Sequence, residues 1–124
     1  MKLDLIGILV NDMQRSLEFY RTLGWQIPTV SDDEDHVEIT LESGLRFAWD
    51  KLSMIQSYDP EAKIYPHGVG AFLCKNPAEV DSKFLELTAL GYEAHSQPWD
   101  AFWGQRYAVV KDPDGHTVDL FAPL

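Results

Sequence analysis

One pattern occurs twice along this chain and limits what it can fold into. Each time, an apolar run is followed by a capping residue, a helical stripe and a glycine exit. The first copy begins with Leu5–Val10, an apolar and β-compatible run. Asn11 or Asp12 can cap the next segment, and Gln14 stands three residues after Asn11, as a capping box requires. Met13, Leu17, Tyr20 and Leu23 mark one helical face, and Gly24 stops it. In the second copy, residues 70–75 are strand-like. Asn76 caps, Pro77 takes the first helical position and Glu79 follows three after the cap. Val80, Phe84, Leu87 and Leu90 form the buried face, and Gly91 ends the helix. The two exits match: Leu23, Gly24, Trp25 and Leu90, Gly91, Tyr92.

The segments between and after these copies read as strands. Residues 25–30 are expected to form one, and residues 31–35, with four acids, a solvated loop. Residues 36–41 and 45–50 pair across Glu42, Ser43 and Gly44. Residues 51–67 are a long linker whose Leu52, Met54 and Ile55 make a short helix or a lid. In the second half, residues 93–97 form a strand. Residues 106–111 and 117–121 close a hairpin over Asp112, Pro113, Asp114 and Gly115. The expected fold is α+β: two tandem βαβββ units, at 1–50 and 68–124, within a single domain over 1–124. They would form a curved mixed sheet around a cleft, with the helices on the outer face.

Composition removes several function classes. The 124 residues suit one domain with a real core, and 45% hydrophobic content excludes disorder. Ten basic and twenty acidic residues give a net charge of −10, a field that repels nucleic acid and anionic membrane. The opening MKLDLIGILV is too short and too soon interrupted by Asp4 for a secretory signal, and reads as a first strand. The lone Cys74 can form no internal disulfide and fits a reducing, cytoplasmic setting. Nothing announces catalysis: there is no G-x-S-x-G turn and no glycine-rich phosphate loop.

Several motifs together carry a family resemblance. They are Leu9, Val10, Asn11 and Asp12, then Ser16, Leu17, Phe19 and Tyr20, then Leu23, Gly24 and Trp25. Near the end come Trp103, Gly104, the Asp112 to His116 turn, and Val118, Asp119 and Leu120. The set resembles the vicinal oxygen chelate superfamily, which includes glyoxalase I, extradiol dioxygenases and bleomycin resistance proteins. The resemblance implies a divalent metal held by four side chains, commonly two His and two Glu. Those positions fall on Leu5, near Ala48, near Val69 and on Asp119. Three of the four side chains cannot ligate, so no metal and no cofactor is expected. A displaced set of His67, Asp50 and Asp119 would suit manganese, iron or zinc, with no donor at Leu5.

The members without a metal are the bleomycin-resistance type, and the resemblance then implies a homodimer that sequesters an aromatic or cationic small molecule. Antibiotic resistance is the role that goes with that type. Trp99, Phe102 and Trp103, read as one connecting loop, would supply rings for stacking and cation–π attraction. Asp119 and Asp50 would supply charge, and Arg46 would either line the cleft or neutralise Asp119. Trp25 and Trp49 fit a core, and Tyr107 can face the cleft or a helix. His36, His95 and His116 are expected in solvent. The expected function is a metal-independent binder rather than an enzyme. Its alternatives are a metal-dependent glyoxalase- or dioxygenase-like lyase or isomerase, and a regulatory or protein-interaction module.

Overall fold

The computed structural model describes residues 1–124. The chain packs as two compact units, Met1–Tyr65 and Pro66–Leu124. The mixed α+β architecture agrees with the sequence reading, with one strand fewer than expected in the first unit.

Unit 1 contains β1 (Leu5–Val10), α1 (Met13–Thr22), a 3-10 turn (Thr29–Asp33), β2 (His36–Thr40), β3 (Arg46–Lys51) and α2 (Leu52–Gln56). Its sheet runs β1-β3-β2, with β1 parallel and β2 antiparallel to β3. Asp12, not Asn11, caps α1, its carboxylate accepting the Arg15 N–H at 3.2 Å. Gln14 forms no box and bonds Glu18 instead. At the other end, Gly24 N–H donates to the Arg21 carbonyl and Trp25 N–H to that of Tyr20. These are the two bonds of a Schellman motif, and Gly24 takes the positive φ it needs, +116°.

The expected strand over residues 25–30 does not form. Trp25 must turn back to stack on Tyr20, with centroids 5.6 Å apart and planes at 19°. The Arg21 guanidinium then donates to the Ile27 and Pro28 carbonyls at 2.8 and 2.9 Å, supplying the partners a strand would have sought. The same guanidinium pairs with Asp32 at 2.8 Å, so the acidic stretch is a tethered 3-10 turn rather than a free loop. The core of the unit is aromatic. Trp49, with no solvent exposure, meets Phe47, Tyr20 and Trp25 edge-on, with centroids 4.9, 5.5 and 5.8 Å away. The linker helix is real, as α2 shows.

Unit 2 contains β4 (Gly68–Leu73), α3 (Pro77–Ala89), β5 (Ala94–Ala101), β6 (Gln105–Lys111) and β7 (Thr117–Pro123), a full βαβββ set. Its sheet runs β4-β7-β6-β5, with β4 parallel to β7 and the remaining pairs antiparallel. Asn76 accepts the Glu79 N–H at 2.9 Å, and the Glu79 carboxylate reaches back to the Lys75 N–H at 3.1 Å. The Gly91 exit repeats the Schellman bonds of unit 1, to Thr88 and Leu87. Val80, Phe84 and Leu87 of α3 are buried; Leu90, expected beside them, is the cap residue and turns outward, 62% exposed. Packed against α3 is the sheet face holding Ala108, Val110, Val118, Leu120 and Ala122, all buried.

The last hairpin closes as its turn residues dictate. Asp112 N–H donates to the His116 carbonyl and Gly115 N–H to that of Asp112. The buried Asp112 carboxylate accepts the Asp114 and His116 N–H groups at 2.9 and 3.0 Å. His116 is thereby drawn inward. It is 1% exposed, its Nδ1 accepts the His67 N–H at 3.3 Å, and the two imidazoles lie 4.6 Å apart. The expectation of a solvated His116 is corrected.

Candidate functional site

The residues with recognition chemistry gather on the face of the unit 2 sheet opposite α3. The turn at Asp112–Gly115 sets the register, placing Val109 opposite Asp119 and Tyr107 opposite Phe121. Trp99 of β5 pairs with Tyr107 on its other side. Strand side chains alternate between faces. The face that carries Tyr107, Asp119 and Phe121 is thus the one opposite buried Ala108, Leu120 and Ala122.

On this face the rings form one cluster. Trp103 meets Trp99, Phe102 and Tyr107 edge-on, with centroids 5.5, 5.0 and 5.3 Å away. Its indole N–H donates to Gln105 Oε1 at 2.7 Å, which fixes the ring's direction. Tyr107 leans toward Phe121 at 6.4 Å. Trp99 lies on β5 rather than in a loop, whereas Phe102 and Trp103 stand on the tight turn to β6 closed by Gly104. All three are open to solvent: Trp99 40%, Trp103 48% and Phe102 90% exposed. Together they leave an exposed aromatic patch at this edge of the sheet.

Asp119 sits beside these rings and accepts the Tyr107 hydroxyl. Burial, and then the neighbouring carboxylate, push the Tyr107 phenol up to about 12. At neutral pH Tyr107 is therefore a hydroxyl donor, and Asp119 the acceptor. No lysine, arginine or histidine forms an ion pair with Asp119. Tyr107, which alternation alone could not place, is thus the link between the rings and the carboxylate. The turn closed by Asp112 and His116 was the signal that could have assigned it.

Arg46 and Asp50 occupy unit 1, on the face of β3 opposite Phe47 and Trp49. They belong to a chain of ionic contacts. Asp4 and Glu38 hold the two ends of the Arg46 guanidinium at 2.7 and 2.8 Å. Glu38 also meets His36 Nε2 at 2.9 Å, and Asp50 meets His36 Nδ1 at 2.6 Å. The alternative pairing of Arg46 with Asp119 is therefore replaced by these bonds. His36 is exposed, as expected, and is also a member of the chain, with Asp4 and Glu38 as members the sequence reading passed over. The turn at residues 41–45 puts His36 opposite Asp50, and that count was available from sequence.

The four positions that the resemblance assigns to a metal do not fit one. Leu5 and Val69 are apolar, Ala48 is a fully buried methyl group, and Asp119 alone carries a donor, already bonded to Tyr107. The displaced set fares no better. Asp50 is bonded to His36, and His67 Nδ1 lies 3.0 Å from the Gly68 carbonyl. No three His, Cys, Asp or Glu side chains come together as a metal-holding group. Cys74 is buried, and burial pushes its thiol above the ordinary range, which makes it a poor nucleophile. A separate hollow of about 400 Å³ in unit 1 is lined by Asn11, Asp12, Met13, Gln14, Asp32, Asp33, Glu34 and Lys51, and has no ring in its wall. No helix is long and apolar enough to cross a membrane.

Comparison with known proteins agrees with this architecture. The model of the Glyoxalase/Bleomycin resistance protein/Dioxygenase superfamily matches residues 2–120. The chain is 27% identical over 128 residues to the uncharacterized protein YraH of Bacillus subtilis (strain 168), covering all of both chains. Among solved structures it is similar to a glyoxalase-related enzyme from Fulvimarina pelagi, with a TM-score of 0.78 and 20% identity. That match covers 98% of this chain and 88% of the other. It is also similar to a glyoxalase/bleomycin resistance protein/dioxygenase family enzyme from Burkholderia phytofirmans PsJN, with a TM-score of 0.77, 15% identity and full coverage of both chains.

Proposed function

Given that this chain belongs to the glyoxalase/bleomycin resistance protein/dioxygenase superfamily, we propose that it is a metal-independent small-molecule binder of the bleomycin-resistance type. Its ligand is a flat, aromatic cation. The observation that carries this reading is the pairing of solvent-open rings with a carboxylate that has no cationic partner. Trp99, Phe102 and Trp103 supply stacking faces and edges, each ring pair contributing about 0.5–1.5 kcal/mol beyond area burial. Asp119 supplies the charge, held in place by Tyr107. Arg46 and Asp50 are partly exposed, and a ligand reaching them must displace existing ion pairs, so their contribution to affinity is small.

The protein acts as a homodimer in this reading, because a helix covers only one face of the unit 2 sheet and the other presents Leu73, Trp99 and Phe102 to water. It works in the cytoplasm, consistent with one buried, unpaired cysteine. Sequestering a toxic aromatic cation, as in antibiotic resistance, is the role such a site serves.

Equilibrium dialysis against a planar acridinium dye and a neutral aromatic of equal size tests the assignment. The wild-type protein is expected to hold the cation more tightly than its neutral counterpart. Trp103→Ala is expected to weaken cation binding roughly tenfold, the loss of one good ring contact, while unfolding stability shifts by less than about 1 kcal/mol. Asp119→Asn should remove the preference for the cation. Equal binding of both dyes by all three proteins, or stoichiometric transition metal in protein purified without chelator, would sink the proposal.

A further inference from the structure

We propose that His36 is a proton-operated latch that holds the outer strand β2 onto β3, tight while the imidazole carries both ring protons and loosened when it loses one. The argument is one of counting donors. Asp50 Oδ1 lies 2.6 Å from Nδ1 and Glu38 Oε2 lies 2.9 Å from Nε2. A carboxylate accepts and does not donate, and a neutral imidazole has a single N–H. Both bonds exist together only in the imidazolium form. When one proton leaves, one carboxylate faces a nitrogen lone pair: with Nδ1 bare the tie to Asp50 turns repulsive, and with Nε2 bare Glu38 is repelled and the tie to Asp50 loses the imidazolium charge, so the cross-strand hold weakens either way.

The position makes this consequential. His36 is the first residue of β2, which is the end strand of its sheet and pairs with β3 alone. His36 stands directly opposite Asp50, so the imidazolium is a cross-strand tie at the point where β2 begins. Its side chain is 46% exposed, open to exchange with solvent protons. The facing groups are few. From β3 come Asp50 and, through Glu38, Arg46, whose second partner is Asp4 ahead of β1. From β2 itself comes Glu38. Residues of β1 opposite Arg46, Ala48 and Asp50 are Leu5, Gly7 and Leu9, which carry no charge. Asp35 and Lys51 flank the pair in sequence and form no ion pair with it. Asp50 therefore has no other cation to take over when His36 is neutral.

Hydrogen bonds to Asp50, and then to Glu38, raise the His36 pKa above its ordinary value. The sign follows. A group with a raised folded-state pKa lends its stabilisation fully below the unfolded value, near 6.5, and that stabilisation fades as pH rises through the folded value. The latch is thus tight in mild acid and loosens on the alkaline side.

Proton NMR of the imidazole Hε1 signals, with amide hydrogen exchange of β2 measured against α3 in the same sample, tests the proposal. His36 is expected to titrate above about 6.5, and Asp50→Asn to lower its midpoint. Relative exchange at Val37 and Ile39 is expected to rise across the same pH interval, roughly tenfold for each unit of upward displacement. In His36→Gln the step should be absent, with β2 exchanging at the higher relative rate throughout. A His36 midpoint at or below the unperturbed value, no step in wild type, or the same step in His36→Gln would overturn it.

Discussion

Replacing Trp49 with alanine is expected to cost about 3–5 kcal/mol of stability, the range for truncating a large buried aromatic side chain. Trp49 is fully buried, and three rings, Phe47, Tyr20 and Trp25, lie edge-on around it. Removing the indole leaves a cavity that this rigid surround cannot close, so both the transfer term and the lost dispersion contacts count. The indole N–H meets no acceptor inside the protein. Trp49→Phe, which deletes that N–H and keeps a ring, should therefore lose less than half as much. Urea unfolding followed by far-ultraviolet circular dichroism measures both. A loss below about 1 kcal/mol for Trp49→Ala would mean that the aromatic cluster is not what holds unit 1 together.

The second large effect is expected at Asp112. Its carboxylate sits at 4% exposure and accepts two backbone N–H groups in the last hairpin, those of Asp114 and His116. Alanine would leave both donors without this charged acceptor, one of them in a buried setting. At about 1–3 kcal/mol for each abandoned buried donor, the expected loss is about 2–4 kcal/mol. Asp112→Asn keeps an oxygen in the same place and should recover at least half. The same unfolding experiment checks this, and an alanine variant as stable as the asparagine variant would contradict it. Since this turn sets the register of β6 against β7, Asp112→Ala should also loosen the Tyr107 to Asp119 contact, a phenol that ionises earlier in alkaline titration being the sign.

Much of the fold was legible because its signals are local. The two longer helices, α1 and α3, announced their starts with Asp or Asn caps and their ends with Gly24 and Gly91, and the structure realises both exits with the same pair of backbone bonds. The strand expected over residues 25–30 shows where local reading stops. Its composition suits a strand, but a guanidinium six residues upstream satisfies the Ile27 carbonyl, and the Trp25 ring is claimed by Tyr20. Neither partner is visible in a window of a few residues. His116 was misread for a related reason. Turn residues are usually wet, but this one is pulled in by Asp112 and covered by His67.

The site was legible in its parts and not in its assembly. The exposed rings and Asp119 could be named from residue type alone. That Tyr107 joins them, and that Trp99 belongs to a strand, depends on pairing register. Both hairpin turns in fact encode that register: counting outward from Asp112 and His116 pairs Tyr107 with Phe121, and counting outward from residues 41–45 pairs His36 with Asp50. For Arg46, residue type was informative and partner choice was not, because Asp4 and Glu38 of its own unit hold the two ends of its guanidinium.

The placement of the four tryptophans has a practical consequence. Trp49 is fully buried in the core cluster of unit 1 and Trp25 half-buried at its edge, while Trp99 and Trp103 are exposed on unit 2. Intrinsic fluorescence of this protein is thus expected to combine a shielded, short-wavelength part from Trp49 with a long-wavelength part from Trp99 and Trp103 that soluble quenchers reach. Acrylamide would separate the two, giving one optical gauge of the integrity of the interior and another of whatever settles on the open surface, without a label being attached.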